Sequence, residues 1–175
     1  MRGHAWILNE VSAMHNVSKV VELGAGDGRL CNKVKTLLPT CEVTAVDLIP
    51  KPETVRSDIV WQQASIFEYD GFDRDTVVVA NLFIHHLDDK ELKLLGARLA
   101  QVRAVVLAEP HRKKTAELMG RLLFPLVNQV TRHDMITSIR AGFVKEEISK
   151  LIGRNFHWKE SLGMFGGIRM IGVRG

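Results

Sequence analysis

The segment VVELGAGDG at 20–28, followed by a second apolar run ending in an acid, VTAVDL at 43–48, constrains this chain more than any other feature. Val20 to Leu23 read as a short buried strand, and Gly24, Gly26 and Gly28 follow at alternate positions. Glycine enters positive φ without a Cβ penalty and lets the backbone approach a ligand closely. Asp27 and Gly28 then open a helix through Leu38, with Pro39 just beyond it as a stop. A tight glycine loop after one strand, with a carboxylate at the tip of the next, is the geometry that a nucleoside ligand needs.

The spacing narrows the ligand. A dinucleotide fingerprint reads G-x-G-x-x-G, and this chain has Arg29 where the third glycine would stand. Its own pattern is E-x-G-x-G-x-G, beginning at Glu22. That pattern resembles the nucleotide loop of class I S-adenosylmethionine-dependent methyltransferases, and the resemblance runs from Val20 to about Val173. It implies that the loop passes under the methionine part of S-adenosylmethionine, and that the acid ending the second strand takes both ribose hydroxyls. Carried onto this sequence, these residues are Glu22, Gly24, Ala25, Gly26 and Asp47, with Leu48 beside the acid. S-adenosylhomocysteine would be the product.

Apolar runs alternate with helical patterns, the signature of an α/β fold with a mostly parallel sheet covered on both faces. The expected strands are Val20 to Leu23, Glu42 to Val46, Ile59 to Gln62, Thr76 to Ala80 and Ala104 to Ala108. A short proline-bounded segment spans about Pro50 to Arg56, and a helix runs from Asp89 to Ala100. Asp88 with Glu91 forms a capping box ahead of that helix, so the paired acids are better explained as a cap than as a metal site. Helical patterns continue over roughly Lys113 to Val130, with Pro125 as a kink, and over His133 to Ala141, ending at Gly142 as a positive-φ cap. VKEEISKLIG reads as a short amphipathic helix closed by Gly153. Two β-type stretches, Asn155 to Leu162 and Ile168 to Arg174, flank the glycine-rich GMFGG and read as a hairpin. The resemblance implies the same thing: a seven-stranded Rossmann-like sheet of five parallel strands plus a C-terminal hairpin.

With 175 residues, 46% of them hydrophobic, the expectation is one domain with a sizeable core. It divides into a short N-terminal helical arm at 1–17, a cofactor-binding half at 18–108, and substrate-side helices with the hairpin at 109–175. In the family the arm covers the substrate; its shortness here leaves an open acceptor pocket, or one closed by a partner or a second copy in a homodimer. Cys31 and Cys41 lack metal-ligand spacing, so no metal is expected and free thiols are the default. The first residues lack a continuous apolar core or a small-residue cleavage site, which points to a cytoplasmic protein with no membrane span. A net charge of +4 permits an acidic substrate or nucleic acid without requiring either.

Ligands in open parallel sheets lie beyond the carboxyl ends of the strands, so chemistry should come from loops after strands. After the third strand the family usually carries an acid for the adenine amine; Ser65 aligns there, with Ile66 expected to pack on the ring. After the fourth, Asn81 should face the methionine end, and Phe83 and Ile84 can wall the site. The pair His85 and His86 resembles a segment of small-molecule methyltransferases of the ubiquinone-biosynthesis type, and NQVTRHDMITSIRAGF is similar to one in polyketide-type enzymes. The N/D-P-P-Y/F signature of base-amine methylation is absent. A hydroxyl acceptor must lose a proton, and histidine suits that at neutral pH. The candidates for this catalytic role are His85, His111 and His133, while His86 reads as a packing residue. Arg132 and Arg140 could bind an anionic acceptor. The expected function is methyl transfer to a small-molecule acceptor, with a hydroxyl oxygen favoured. An RNA or protein methyltransferase and a cofactor-binding protein without turnover remain as alternatives.

Overall fold

The computed structural model describes residues 3–112, 142–153, 155–163 and 167–175. Seven strands form one sheet: β1 Lys19–Leu23, β2 Glu42–Asp47, β3 Val60–Gln63, β4 Thr76–Asn81, β5 Ala104–Pro110, β6 Phe156–Leu162 and β7 Gly167–Arg174. Their order is β3-β2-β1-β4-β5-β7-β6. The first five pair in parallel, and β7 runs antiparallel to both β5 and β6. The expected five parallel strands and C-terminal hairpin are therefore present, with ends that differ by one or two residues.

β1, β4 and β5 sit centrally and are buried along nearly their whole length, as continuous apolar runs covered on both faces should be. Alternate residues of each strand feed opposite cores. One core packs Val20, Val43, Val77 and Val106 against α1 Gly3–Ala13 and α2 Arg29–Leu37. The other packs Val21, Leu23, Val78 and Leu107 against α3 Asp89–Arg98 and α4 Glu147–Ile152. α1 buries Ile7 and Val11, one turn apart on one face. Its end is held by Arg103, whose guanidinium donates to the Asn16 carbonyl at 2.7 Å. Both halves of the capping box form at α3: Asp88 accepts from Glu91 N at 2.8 Å, and Glu91 accepts from Asp88 N at 2.9 Å.

α2 starts two residues later than the sequence suggested, because Gly28 is its N-cap in a left-handed conformation. α4 is shorter than its pattern, starting after Glu146 at φ 64 and ending at Gly153 at φ 124. Gly142 corrects the sequence reading. It is not at positive φ; a Cβ there would come within 2.4 Å of the Pro110 carbonyl oxygen, so close approach requires the glycine. The helices expected over Lys113 to Val130 and His133 to Ala141, with Pro125, lie outside the described residues. Among the described residues, no helix is long and apolar enough to cross a membrane.

Candidate functional site

β2 and β3 branch to one side of β1, and β4 and β5 to the other, so the carboxyl ends of β1, β2 and β4 bound a crevice where the connections diverge. The glycine loop floors it. Gly24, Gly26 and Gly28 all have positive φ, at 65, 53 and 72. A Cβ on Gly24 would lie 1.9 Å from the Phe83 ring, so that ring rests directly on the loop. A Cβ on Gly26 would meet nothing within 4 Å among the described residues. Bare main chain therefore faces open space at Gly26 alone of these two.

Asp47, ending β2, reaches back across this loop. Its Oδ2 accepts from Gly26 N at 2.7 Å, and its Oδ1 accepts from Ile49 N at 3.1 Å. A carboxylate has about four lone-pair sites, so each oxygen can accept once more. Beside it Leu48 is 72% exposed, an apolar side chain flanking the acid without a protein cover. The Ala25 side chain is buried in the core beside α2.

Glu22 lies beneath the loop, 4% exposed, and its Oε2 has no hydrogen-bond partner among the described residues. Burial pushes its carboxyl up to about 8, aided by Asp27 and Asp47 and opposed by the Cys31 backbone N–H and thiol. The Cys31 thiol donates to the Gly28 carbonyl at 3.1 Å, and burial pushes it up to about 12. Both cysteines are free and buried. Among the described residues, no cluster of three His, Cys, Asp or Glu could hold a metal.

The exit of β3 carries Ser65 and Ile66. The Ser65 Oγ accepts from Phe67 N at 3.3 Å, while Ser65 N donates to the Glu68 carboxylate at 3.3 Å. The hydroxyl thus supports its own turn. Ile66 is 5% exposed and packs into the α3-side core.

The exit of β4 is the most constrained part of the site. Leu82 has φ 55, a left-handed conformation that costs a branched residue about 1–2 kcal/mol. The strain is held by its N–H donating to Ala108 O at 2.9 Å and by a clamp just beyond it. Glu109 Oε1 accepts from Phe83 N at 3.0 Å and Ile84 N at 3.1 Å, and its Oε2 lies 2.8 Å from His85 Nδ1. The Nδ1–Oε2 contact shares one proton, and which atom donates it depends on the tautomer of His85. The His85 and Glu109 side chains are 4% and 0% exposed, and Nε2 has no partner among the described residues. His86, on the exposed side, lies with its ring 4.1 Å from that of His85. Burial, then the neighbouring His85, lowers its pKa.

Sequence reasoning missed Glu109. The available signal was an acid at the end of an apolar strand, AVVLAEP. Asn81 ends β4 against the start of α1: a Cβ on Gly3 would lie 2.0 Å from its Oδ1. His111 follows β5 and bridges Phe143 through the backbone, and the next residue, Arg112, pairs with Glu147. His133, Arg132 and Arg140 lie outside the described residues. A groove of about 620 Å³ between α1 and α2, lined by Leu8, Asn32 and Leu37 among others, contains none of these side chains.

No family model and no curated protein matches the chain. Solved structures do. The plantazolicin methyltransferase BpumL in complex with SAH matches at a TM-score of 0.78 and 10% identity, over 99% of this chain and 82% of that one. The N-methyltransferase NodS from Bradyrhizobium japonicum WM9 matches at 0.61 and 13%, over 98% and 93%. An O-methyltransferase family protein from Burkholderia thailandensis matches at 0.63 and 17%, over 98% and 56%. At such identities the likeness establishes the fold.

Proposed function

We propose that this chain, which has the fold of class I S-adenosylmethionine-dependent methyltransferases, is itself such an enzyme and methylates a hydroxyl oxygen of a small molecule. The observation that carries the reading is the pairing of bare main chain at Gly26 with the Asp47 carboxylate, which keeps acceptor capacity toward a sugar. The residues present fit the cofactor. Asp47 would accept from the ribose hydroxyls, the backbone around Gly24 and Gly26 would pass beneath the amino-acid tail, and exposed Leu48 would pack on the base. Ser65 is a weaker adenine contact, because its hydroxyl already serves the local turn. When bound, S-adenosylmethionine supplies an electrophilic sulfonium methyl.

The chain's own chemical task is orientation and proton removal. Holding two reactants in line contributes about 7–11 kcal/mol in favourable cases. Of the histidine candidates, His85 is the one held by a carboxyl: with Nδ1–H donating to Glu109, a neutral ring would keep its Nε2 lone pair for the proton of an acceptor hydroxyl, which would reach that enclosed atom only once the side chains over it part. Glu109 is a positioning residue in this scheme. His111 and the region of His133 follow β5 and would bear on the acceptor side.

Incubating cell extract with methyl-labelled S-adenosylmethionine, then separating small products from RNA and protein, tests the reading. Label in a small product that resists amide-type hydrolysis but carries a methyl ether supports it. Label confined to RNA or protein replaces the substrate class, and binding without transfer to any fraction replaces the enzyme by a binding protein.

A further inference from the structure

Glu22 is a buried acid at the carboxyl end of β1, beside the glycine loop. It ends almost fully enclosed, its Oε2 lacks a partner among the described residues, and Asp27 and Asp47 add two further carboxylates around the same loop. From α2 it meets the Cys31 N–H and thiol, from the loop Asp27, and from β2 Asp47; among the described residues no cation is named as acting on it. Arg29 pairs with Asp27 at 2.9 Å on the exposed side. On α1, His4 is lowered by burial first and then by Lys33, and it interacts with Asp27 and Arg29 of the same loop region. An ionised carboxyl so placed is desolvated and repelled from two sides.

We propose that Glu22 couples binding in this crevice to release of a proton: its carboxyl is neutral in the ligand-free protein and ionises when a positively charged nucleoside settles over the glycine loop. The proton passes from the Glu22 carboxyl to solvent buffer, and the carboxylate left behind is balanced by the ligand's positive charge. The inference rests on the cofactor reading above. Burial raises the carboxyl toward its protonated form near neutral pH, so binding that ionises it releases up to one proton per ligand. The coupling discriminates between the two forms of the cofactor. The sulfonium substrate carries a charge that the thioether product lacks, so methyl transfer returns Glu22 toward its neutral form and loosens the product.

Titration calorimetry of the full chain at pH 7, in two buffers of different ionisation enthalpy, counts these protons. Near one proton should be released with S-adenosylmethionine, fewer with S-adenosylhomocysteine, and almost none with S-adenosylmethionine in Glu22→Gln. Binding by the wild type with no buffer-dependent heat overturns the inference, as does undiminished release in Glu22→Gln. Should the variant fail to fold, the wild-type affinity between pH 6 and 8 decides: a rise of up to tenfold per unit supports coupling, and a flat profile overturns it. No heat with either ligand in any buffer defeats the cofactor reading itself.

Discussion

His85 and Glu109 meet across the ends of two neighbouring strands, with Nδ1 2.8 Å from Oε2 and both side chains closed off from solvent. The same carboxyl group holds the backbone N–H groups of Phe83 and Ile84, so one acid fixes the histidine and the loop that carries it.

Replacing Glu109 by alanine strands donors inside the protein. Each unsatisfied buried donor costs about 1–3 kcal/mol, and a total near 3 kcal/mol would lower Tm by roughly 6–12 °C in a domain of this size. Differential scanning calorimetry should record that fall; a shift within about 2 °C would mean that the clamp contributes little.

His85→Gln separates chemistry from binding. S-adenosylhomocysteine should bind this variant within about twofold of wild type, because the side chain is assigned to the acceptor and not the cofactor, while turnover falls roughly 10²–10⁴-fold. Equal losses in both would make His85 a structural residue.

Gly26→Ala and Gly24→Ala should fail in different ways. An added methyl at Gly26 meets no atom of the described residues, so folding loses only about 1–2 kcal/mol for the left-handed conformation while ligand affinity drops more than about tenfold. At Gly24 the methyl strikes the Phe83 ring, and stability should suffer beyond that conformational cost. Chemical denaturation paired with ligand titration distinguishes the two; equal stability losses would contradict the geometry.

The raised Glu22 pKa gives stability a pH dependence of definite sign. Between its usual 4.5 and about 8 the folded chain holds a proton that the unfolded chain has lost. Stability therefore falls as pH rises through that window. Urea midpoints measured from pH 5 to 9 should decline in the wild type and flatten in Glu22→Gln. A wild-type midpoint that climbs toward pH 8 while the variant's stays flat would contradict the assignment.

What could be read from the sequence was what short-range rules govern. The glycine loop, the Asp88–Glu91 cap and the hairpin each depend on residues a few positions apart, and each formed as the spacing indicated. Glu109 and His85 are 24 residues apart and meet only because β4 and β5 pair in parallel, a register no local pattern encodes. Gly142 was misread for the same reason: its constraint is the Pro110 carbonyl across the fold, not the helix before it. The Ser65 hydroxyl accepts from Phe67 N in a turn that also involves Glu68, a contact that alignment by position does not reveal.

On the proposed function, the crevice between the ends of β1 and β2 would receive a sulfonium nucleoside, its ribose held by Asp47. Calorimetric titration of wild type and Asp47→Ala with S-adenosylmethionine tests this most directly. The wild type should bind, and the variant should bind more weakly by on the order of 2–3 kcal/mol. Absence of heat with this ligand and with its demethylated product, alongside clear binding of a nicotinamide dinucleotide, would contradict the account.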